Sequence, residues 1–157
     1  MLKRARMIAD LQFGRKAGVT LFPDGTTYSL SNTGRLRYLY WGKERIATVR
    51  ANDGLLTLSM IGAQRLHSFF PFPKLRVIAS DNIAPLIAKG GNLFAKHVSG
   101  VDPEIRAGDE IIVVDGKDKL LATGTALLAP EEMIQIKKGV AVTIRKGAET
   151  ESSGQSH

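Results

Sequence analysis

The chain has 157 residues, 43% of them apolar, which is enough for one compact domain or two small ones with a buried core. It has no cysteine, which excludes disulfides, thiolate metal sites and a cysteine nucleophile, and no apolar run approaches the ~18–20 residues that span a bilayer. The net charge is +7 and is unevenly distributed. Residues 1–75 carry 12 Lys and Arg against 4 Asp and Glu, whereas residues 76–157 carry 10 Lys and Arg against 11 Asp and Glu. The positive first half favours a polyanionic partner such as nucleic acid.

The first half of the chain predicts an α+β domain, a curved antiparallel sheet with a helix at each end. Residues 2–13 predict a helix that ends at Gly14, and residues 61–69 predict the second helix. The strands between them are bounded by Gly, Asn, Asp and Pro, the residues that favour turns. These strands span residues 19–22, 26–31, 35–41 and 44–49, and residues 55–59 are ambiguous.

The strand at residues 35–41 carries two arginines, Arg35 and Arg37. Strand alternation places them on the face of Leu39, and places the tyrosines of the same strand on the face of Leu36. The two arginines therefore either form a solvated strand face or contact a nucleic acid.

A linker rich in proline and phenylalanine, residues 71–74, separates residues 1–70 from a second domain, residues 75–147. Its two prolines disfavour a helix and favour extended backbone. Residues 148–157, rich in Ser, Glu and Gly, predict a disordered tail.

The second domain predicts a small β-barrel braced by two short helices, with glycines at the junctions between elements. Asp81 is expected to cap the first helix, Gly139 to end the second, and Gly124 to mark a bulge. In chain order the predicted elements are a strand at 75–79, a helix at 83–89, strands at 92–98, 109–115 and 120–128, a helix at 131–138 and a strand at 140–145.

The distribution of reactive side chains indicates neither a catalytic site nor a metal or cofactor site. The three histidines are far apart in sequence, and Asp10 and Asp53, the carboxylates that could serve as a base, lie in turn-like contexts without a partner histidine. The basic N-terminus is not followed by a long apolar segment, so we expect a cytoplasmic protein without membrane association.

The second domain resembles the PUA domain, an RNA-binding module. The segments that carry the resemblance are KGG at 89–91, LFAK at 93–96, VDP at 101–103, IRAGDE at 105–110, LATG at 121–124 and KGVAV at 138–142. The resemblance implies a PUA-type pseudo-barrel and RNA binding.

The first domain resembles the domain that precedes PUA in archaeal tRNA-guanine transglycosylase, the enzyme that inserts the archaeosine precursor base into tRNA. The carrying segments are ADLQFG at 9–14, SNTGRLR at 31–37, RIATVRANDG at 45–54 and GA at 62–63. The catalytic domain of that family is a (β/α)₈ barrel with a zinc site and catalytic aspartates, a fold that needs about 250 residues. The resemblance therefore implies the non-catalytic, RNA-binding C-terminal portion alone.

In PUA domains the first helix, the glycine loop and strand after it, and the last strand face the RNA. The similar transglycosylase domains grip the acceptor stem and the 3′ end of tRNA. The adjacent glycines Gly90 and Gly91 are expected to present backbone N–H groups without Cβ obstruction. Carried over, the resemblance implies RNA contacts from Lys89, Gly90, Gly91, Asn92, Lys96, His97, Lys138, Arg145 and Lys146, and the first domain adds Arg35 and Arg37.

Three functions fit these features. The chain could be the tRNA-binding subunit of a transglycosylase whose catalytic chain is encoded separately. It could instead be a stand-alone RNA-binding protein that serves another RNA modification or ribosome assembly. A protein–protein adaptor is the third hypothesis, since exposed aromatics such as Trp41 can anchor an interface.

Overall fold

The computed structural model describes residues 1–150 and divides the chain into two compact units, one that ends at Phe69 and one that begins at Phe70. Both units mix helices and strands, which confirms the predicted α+β class. Within the region assigned to the tail, the backbone amides of Ala148 and Glu149 donate to the carbonyls of Leu121 and Ala88. Residues 151–157, the rest of that region, lie outside the described residues.

The first unit is a four-stranded antiparallel sheet with helices packed on one face. The strand order is β1-β2-β3-β4, so every strand pairs with its sequence neighbour. Leu39, Ala47 and Leu58 lie opposite one another on the buried face. The elements are α1 (Leu2–Phe13), α2 (Ala17–Leu21), β1 (Thr27–Leu30), β2 (Leu36–Trp41), β3 (Glu44–Val49), β4 (Leu56–Leu58) and α3 (Met60–Phe69).

The prediction of a strand at residues 19–22 is wrong, because the segment Ala17–Leu21 forms helix α2. The amide of Gly18 donates to Asp10 Oδ1 over 2.7 Å, which ties the start of α2 to α1. A Cβ at Gly18 would lie 2.4 Å from the carbonyl oxygen of Arg6, so only glycine allows this close approach. Contact between the helices thus overrides the strand propensity of Val, Thr and Phe.

The predicted faces of β2 are also partly wrong, because Leu36 is buried together with Leu39. Tyr38 pairs with Ser29 but Leu36 pairs with Leu30, so one residue of β2 is skipped and alternation is interrupted there. Tyr38 and the next tyrosine along the strand remain together, part-exposed, on the opposite face.

The second unit is a six-stranded sheet that nearly closes into a barrel. The strand order is β6-β10-β9-β8-β5-β7, and within residues 70–150 only β5 and β8 are parallel. The edge strands β6 and β7 are joined by a single 3₁₀ turn, Ala95–His97, so the chain itself closes most of the gap between the edges. The strands are β5 (Arg76–Ala79), β6 (Leu93–Phe94), β7 (Val98–Val101), β8 (Glu110–Val114), β9 (Leu120–Ala126) and β10 (Val140–Gly147).

Two short helical segments brace this barrel, as predicted, but their details differ. The first is a 3₁₀ turn, Asp81–Ile83, followed by α4 (Ala84–Ala88). Asp81 does not cap it; its Oδ1 accepts the amide of Gly116 instead. The second is a π-helical turn, Glu132–Ile136, which ends at Lys137 in the left-handed region (φ 56°), two residues before the predicted stop at Gly139.

The predicted strand at residues 92–98 is interrupted by the Ala95–His97 turn, because β6 pairs with β10 whereas β7 pairs with β5. The predicted bulge at Gly124 lies on the partner strand. Gly124 faces Ile144 and the preceding residue of β9 faces Lys146, so Arg145 is the extra residue.

Candidate nucleic-acid interface

The two adjacent glycines after α4 form the C-terminal cap of that helix. The amide of Gly91 donates to the carbonyl of Leu86 and the amide of Gly90 to that of Ile87, each over 2.9 Å, and Gly90 has φ 102°. This is the paired hydrogen-bond pattern of a Schellman cap, which involves both glycines. The expectation that their N–H groups are presented to a ligand is therefore wrong, since both donate within the chain.

The glycine cap lies beside the end of β10. The amide of Ile144 donates to Asn92 Oδ1 over 2.9 Å, and a Cβ at Gly147 would lie only 2.2 Å from the carbonyl oxygen of Ala88. These contacts place Lys89, which is exposed, in the segment next to Lys146, which is also exposed. We call the set Lys89, Gly90, Gly91, Asn92 and Lys146 the cap patch.

Arg145 has a structural partner that its sequence context did not indicate. Its guanidinium pairs with both carboxylate oxygens of Glu110, whose side chain is fully buried while that of Arg145 is 33% exposed. A buried carboxylate without a cation is strongly destabilising, so Arg145 stabilises the barrel. Thr125 Oγ1 accepts a further hydrogen bond from Arg145 over 3.4 Å.

A second group of predicted residues lies at the turn between β6 and β7. The amide of Ala95 donates to the carbonyl of Gly139 over 2.8 Å, which places Lys96 beside the segment that contains Lys138. Both lysines are exposed, whereas His97 is part-buried and its carbonyl accepts the amide and the hydroxyl of Ser80. We call the set Lys96, His97 and Lys138 the turn patch.

The β6–β10 pairing connects the two patches. Leu93 lies opposite Val142 and Phe94 opposite Val140, so β6 runs from the cap patch to the turn patch. Phe94 lies outside the core and is 46% exposed. Its alternation with the buried Leu93 was the signal that could have predicted an outward position.

Arg35 and Arg37 both line a groove of about 840 Å³ in the first unit. Two more arginines, Arg4 and Arg50, line the same groove; of these, only Arg50 pairs with a carboxylate among residues 1–150, that of Asp53. The amide of the nearby Leu55 and then the Arg50 guanidinium hold the pKa of Asp53 below its ordinary value. The groove is thus lined by a concentration of cationic side chains.

Neither a metal centre nor a membrane span is present in residues 1–150. No three histidine, aspartate or glutamate side chains of this part converge as metal ligands, and none of its helices combines the length and apolarity that crossing a bilayer requires.

Two family models together match nearly the whole chain. The patch-forming domain C2 of tRNA-guanine transglycosylase matches residues 3–73, and the PUA domain matches residues 75–148.

Curated relatives include the tRNA-guanine(15) transglycosylases of Methanothermobacter thermautotrophicus, 48% identical over 147 residues, and of Pyrococcus abyssi, 45% identical over 140 residues. The matches cover 93% and 89% of this chain. The chain spans only 22% and 24% of those relatives, in their C-terminal portion.

Solved structures share the fold. A hypothetical protein from Pyrococcus horikoshii OT3 superposes with a TM-score of 0.75 at 19% identity, and the match covers 99% of this chain and 95% of the P. horikoshii chain. A PUA domain protein from Thermoplasma acidophilum superposes with a TM-score of 0.64 at 20% identity, covering 96% and 89%.

Proposed function

The chain belongs to the families of the transglycosylase C2 domain and the PUA domain, and on this basis we propose that it binds tRNA at the acceptor stem and 3′ end. The observation that carries the proposal is the consecutive match of both domains to archaeal tRNA-guanine(15) transglycosylases. We further propose that it acts as a non-catalytic subunit or accessory factor in transglycosylation, together with a separate catalytic chain.

The chemistry of the cap patch suits an RNA duplex end. Lys89 and Lys146 are exposed point charges in adjacent segments, which can neutralise phosphates without reading bases. Gly90 and Gly91 carry no side chains of their own, and Thr150 Oγ1 lies 3.8 Å from where a Cβ of Gly90 would be, so a ribose-phosphate backbone that approaches the α4 cap would also meet the Thr150 hydroxyl. The deep major groove of A-form RNA is closed to side chains, so phosphate, 2′-hydroxyl and shape contacts are the expected mode.

The surroundings of Trp41 weaken the adaptor hypothesis. Trp41, which suggested it, has the guanidinium of Arg65 5.0 Å from its ring centroid and Gly25 against its edge. Its ring therefore packs within the first unit, although 40% of the residue is exposed.

The proposal is tested by measuring the affinity for a tRNA transcript over a series of salt concentrations. The double variant Lys89→Gln/Lys146→Gln should bind more weakly. The negative slope of log K against log salt should become shallower by about 1–2, because each lost phosphate contact accounts for about 0.7–0.9 of its magnitude. The matched control is Lys117→Gln/Lys119→Gln, two exposed lysines in the β8–β9 turn outside both patches.

Equal slopes for the two double variants would refute the cap patch as the RNA-binding surface. A tRNA transcript without its 3′ single-stranded nucleotides tests the finer part: binding unchanged by this truncation would refute recognition of the 3′ end. Arg145 is unsuitable for either test, because its removal leaves Glu110 buried without its cation.

A further inference from the structure

The solvent-facing side of the sheet in the first unit carries a cluster of aromatic and cationic side chains. Ser29, Tyr38, Thr48 and Thr57 lie directly opposite one another across the four strands. In the neighbouring row Leu39, Ala47 and Leu58 are buried, so the row that contains Tyr38 faces away from the core.

A bulge in β3 brings a cation to the same face. Leu39 pairs with Ala47 but Tyr40 pairs with Arg45, so Ile46 is skipped and turns into the core. Directly opposed residues of an antiparallel pair share a face, so Arg45 and Tyr40 do so as well.

Tyr38 is bracketed by two guanidinium groups. The Arg45 guanidinium lies 4.9 Å and that of Arg37 5.5 Å from its ring centroid, within the range of cation–π attraction. A hydrogen bond from Arg37, together with the charge of that residue, lowers the pKa of the Tyr38 phenol. Two guanidinium groups thus place positive charge on this part of the sheet.

Tyr40 is part-exposed and carries the second aromatic ring of this face. Its ring centroid is 6.2 Å from that of Tyr38, tilted by 48°, and none of the described cations lies over it. Stacking of a nucleobase on such a ring tolerates any base, because every base has a π-face.

Charge complementarity identifies the occupant as a polyanion that carries aromatic rings. Residues 1–69 contain 11 Lys and Arg against 4 Asp and Glu, and Arg37 and Arg45 pair with no carboxylate among residues 1–150. Asp24 and Asp53 form ion pairs with Arg6 and Arg50. Negative charge together with flat aromatic surface is the combination that a single-stranded nucleic acid offers.

We propose that this sheet face binds unpaired nucleotides of RNA, with a base stacked on Tyr40 and the adjoining phosphates bound by Arg37 and Arg45. The inference rests on the proposed RNA-binding function, but it assigns a separate site in the first unit and a ligand class, unpaired nucleotides, different from the duplex end assigned to the cap patch.

The test compares two probes on the full chain: a 12-nucleotide single-stranded RNA with one 2-aminopurine, and a blunt duplex that contains the same strand. Tyr40→Leu should weaken binding of the single strand by about tenfold and reduce the quenching of 2-aminopurine, because it removes the stacking surface. Tyr40→Phe should bind within about twofold of the unaltered chain, since the ring remains. Duplex affinity should be unchanged in both variants.

The matched control is Tyr28→Leu. Tyr28 is a part-exposed tyrosine of the same sheet, but it lies opposite Leu39 and so belongs to the other face. The inference is overturned if Tyr40→Leu and the unaltered chain bind the single strand with equal affinity. It is also overturned if Tyr28→Leu lowers that affinity as much as Tyr40→Leu does. If the unaltered chain binds neither tRNA nor either probe, the proposed function itself is overturned. If tRNA binding depends on the cap patch but not on Tyr40, only this inference is overturned.

Discussion

Replacement of Arg145 by methionine should destabilise the barrel, because it leaves the carboxylate of Glu110 buried without its cation. Methionine retains much of the aliphatic bulk of arginine and removes only the guanidinium. Thr123 Oγ1 lies 3.4 Å from Glu110 Oε2, but its single hydroxyl proton is donated to the carbonyl of Ile111 over the shorter distance of 2.9 Å, so it compensates little of the charge. Loss of one member of a buried ion pair costs about 3–5 kcal/mol, and because the Arg145 side chain is 33% exposed we expect a value near ~3 kcal/mol.

Urea unfolding followed by far-ultraviolet circular dichroism measures this loss. With an m-value of about 2 kcal/mol/M, a loss of ~3 kcal/mol moves the transition midpoint by roughly 1.5 M. The double variant Glu110→Gln/Arg145→Met removes the buried charge as well and should recover more than half of the loss. Lys146→Met, at the exposed next position of the same strand, should stay within about 0.5 kcal/mol of the unaltered chain.

The reasoning is refuted if Arg145→Met is no less stable than Lys146→Met. It is also refuted if the double variant is no more stable than Arg145→Met, because the cost would then not arise from an uncompensated charge.

Two further predictions concern a close backbone approach and a perturbed phenol. Gly124→Ala should lower stability by more than ~3 kcal/mol in thermal unfolding, because its Cβ would lie 2.1 Å from the carbonyl oxygen of Thr143 and strands β9 and β10 would have to separate. The control Gly100→Ala should cost less than ~1 kcal/mol, because its Cβ meets only the flexible end of Ile78 at 3.1 Å. Equal losses of stability in the two variants would contradict the argument. Tyr38 should ionise at a lower pH than an ordinary tyrosine, since the hydrogen bond and charge of Arg37 and the charge of Arg45 lower its pKa. In a pH titration followed by phenolate absorbance, Tyr38→Phe should therefore remove the step that occurs at the lowest pH. Persistence of that step would assign it to another tyrosine.

Segments whose local signals and tertiary contacts agree could be predicted from the sequence. The helix at Leu2–Phe13 and the strand at Glu44–Val49 form within the predicted bounds. The strand Glu110–Val114 forms as well, and its apolar residues 111–114 are buried, as expected of a continuous apolar run. In each case periodicity and the flanking turn residues favour the structure that the rest of the fold also requires.

The candidate site was predictable as a set of residues but not as an arrangement. Lys89 and Lys96 belong to one predicted surface in the sequence, yet they lie in two patches at opposite ends of the β6–β10 pairing. The roles of the glycines changed for a similar reason. The hydrogen bonds of a Schellman cap link residues three and five apart, and no pattern of residue types showed that both amides were already used.

Arg145 and Lys146 show where sequence reasoning ends. Both are basic residues near the end of the last strand, and both were expected to contact RNA. The sequence by itself determined the fold class, the two domains' family resemblance and the excess of positive charge in the first half, since these depend on composition and on patterns of neighbouring residues. Only the tertiary structure decided that Arg145 neutralises Glu110, which lies 35 positions earlier, and that Lys146 stays exposed. The reason is that a bulge and the strand register determine which side chains meet across the barrel.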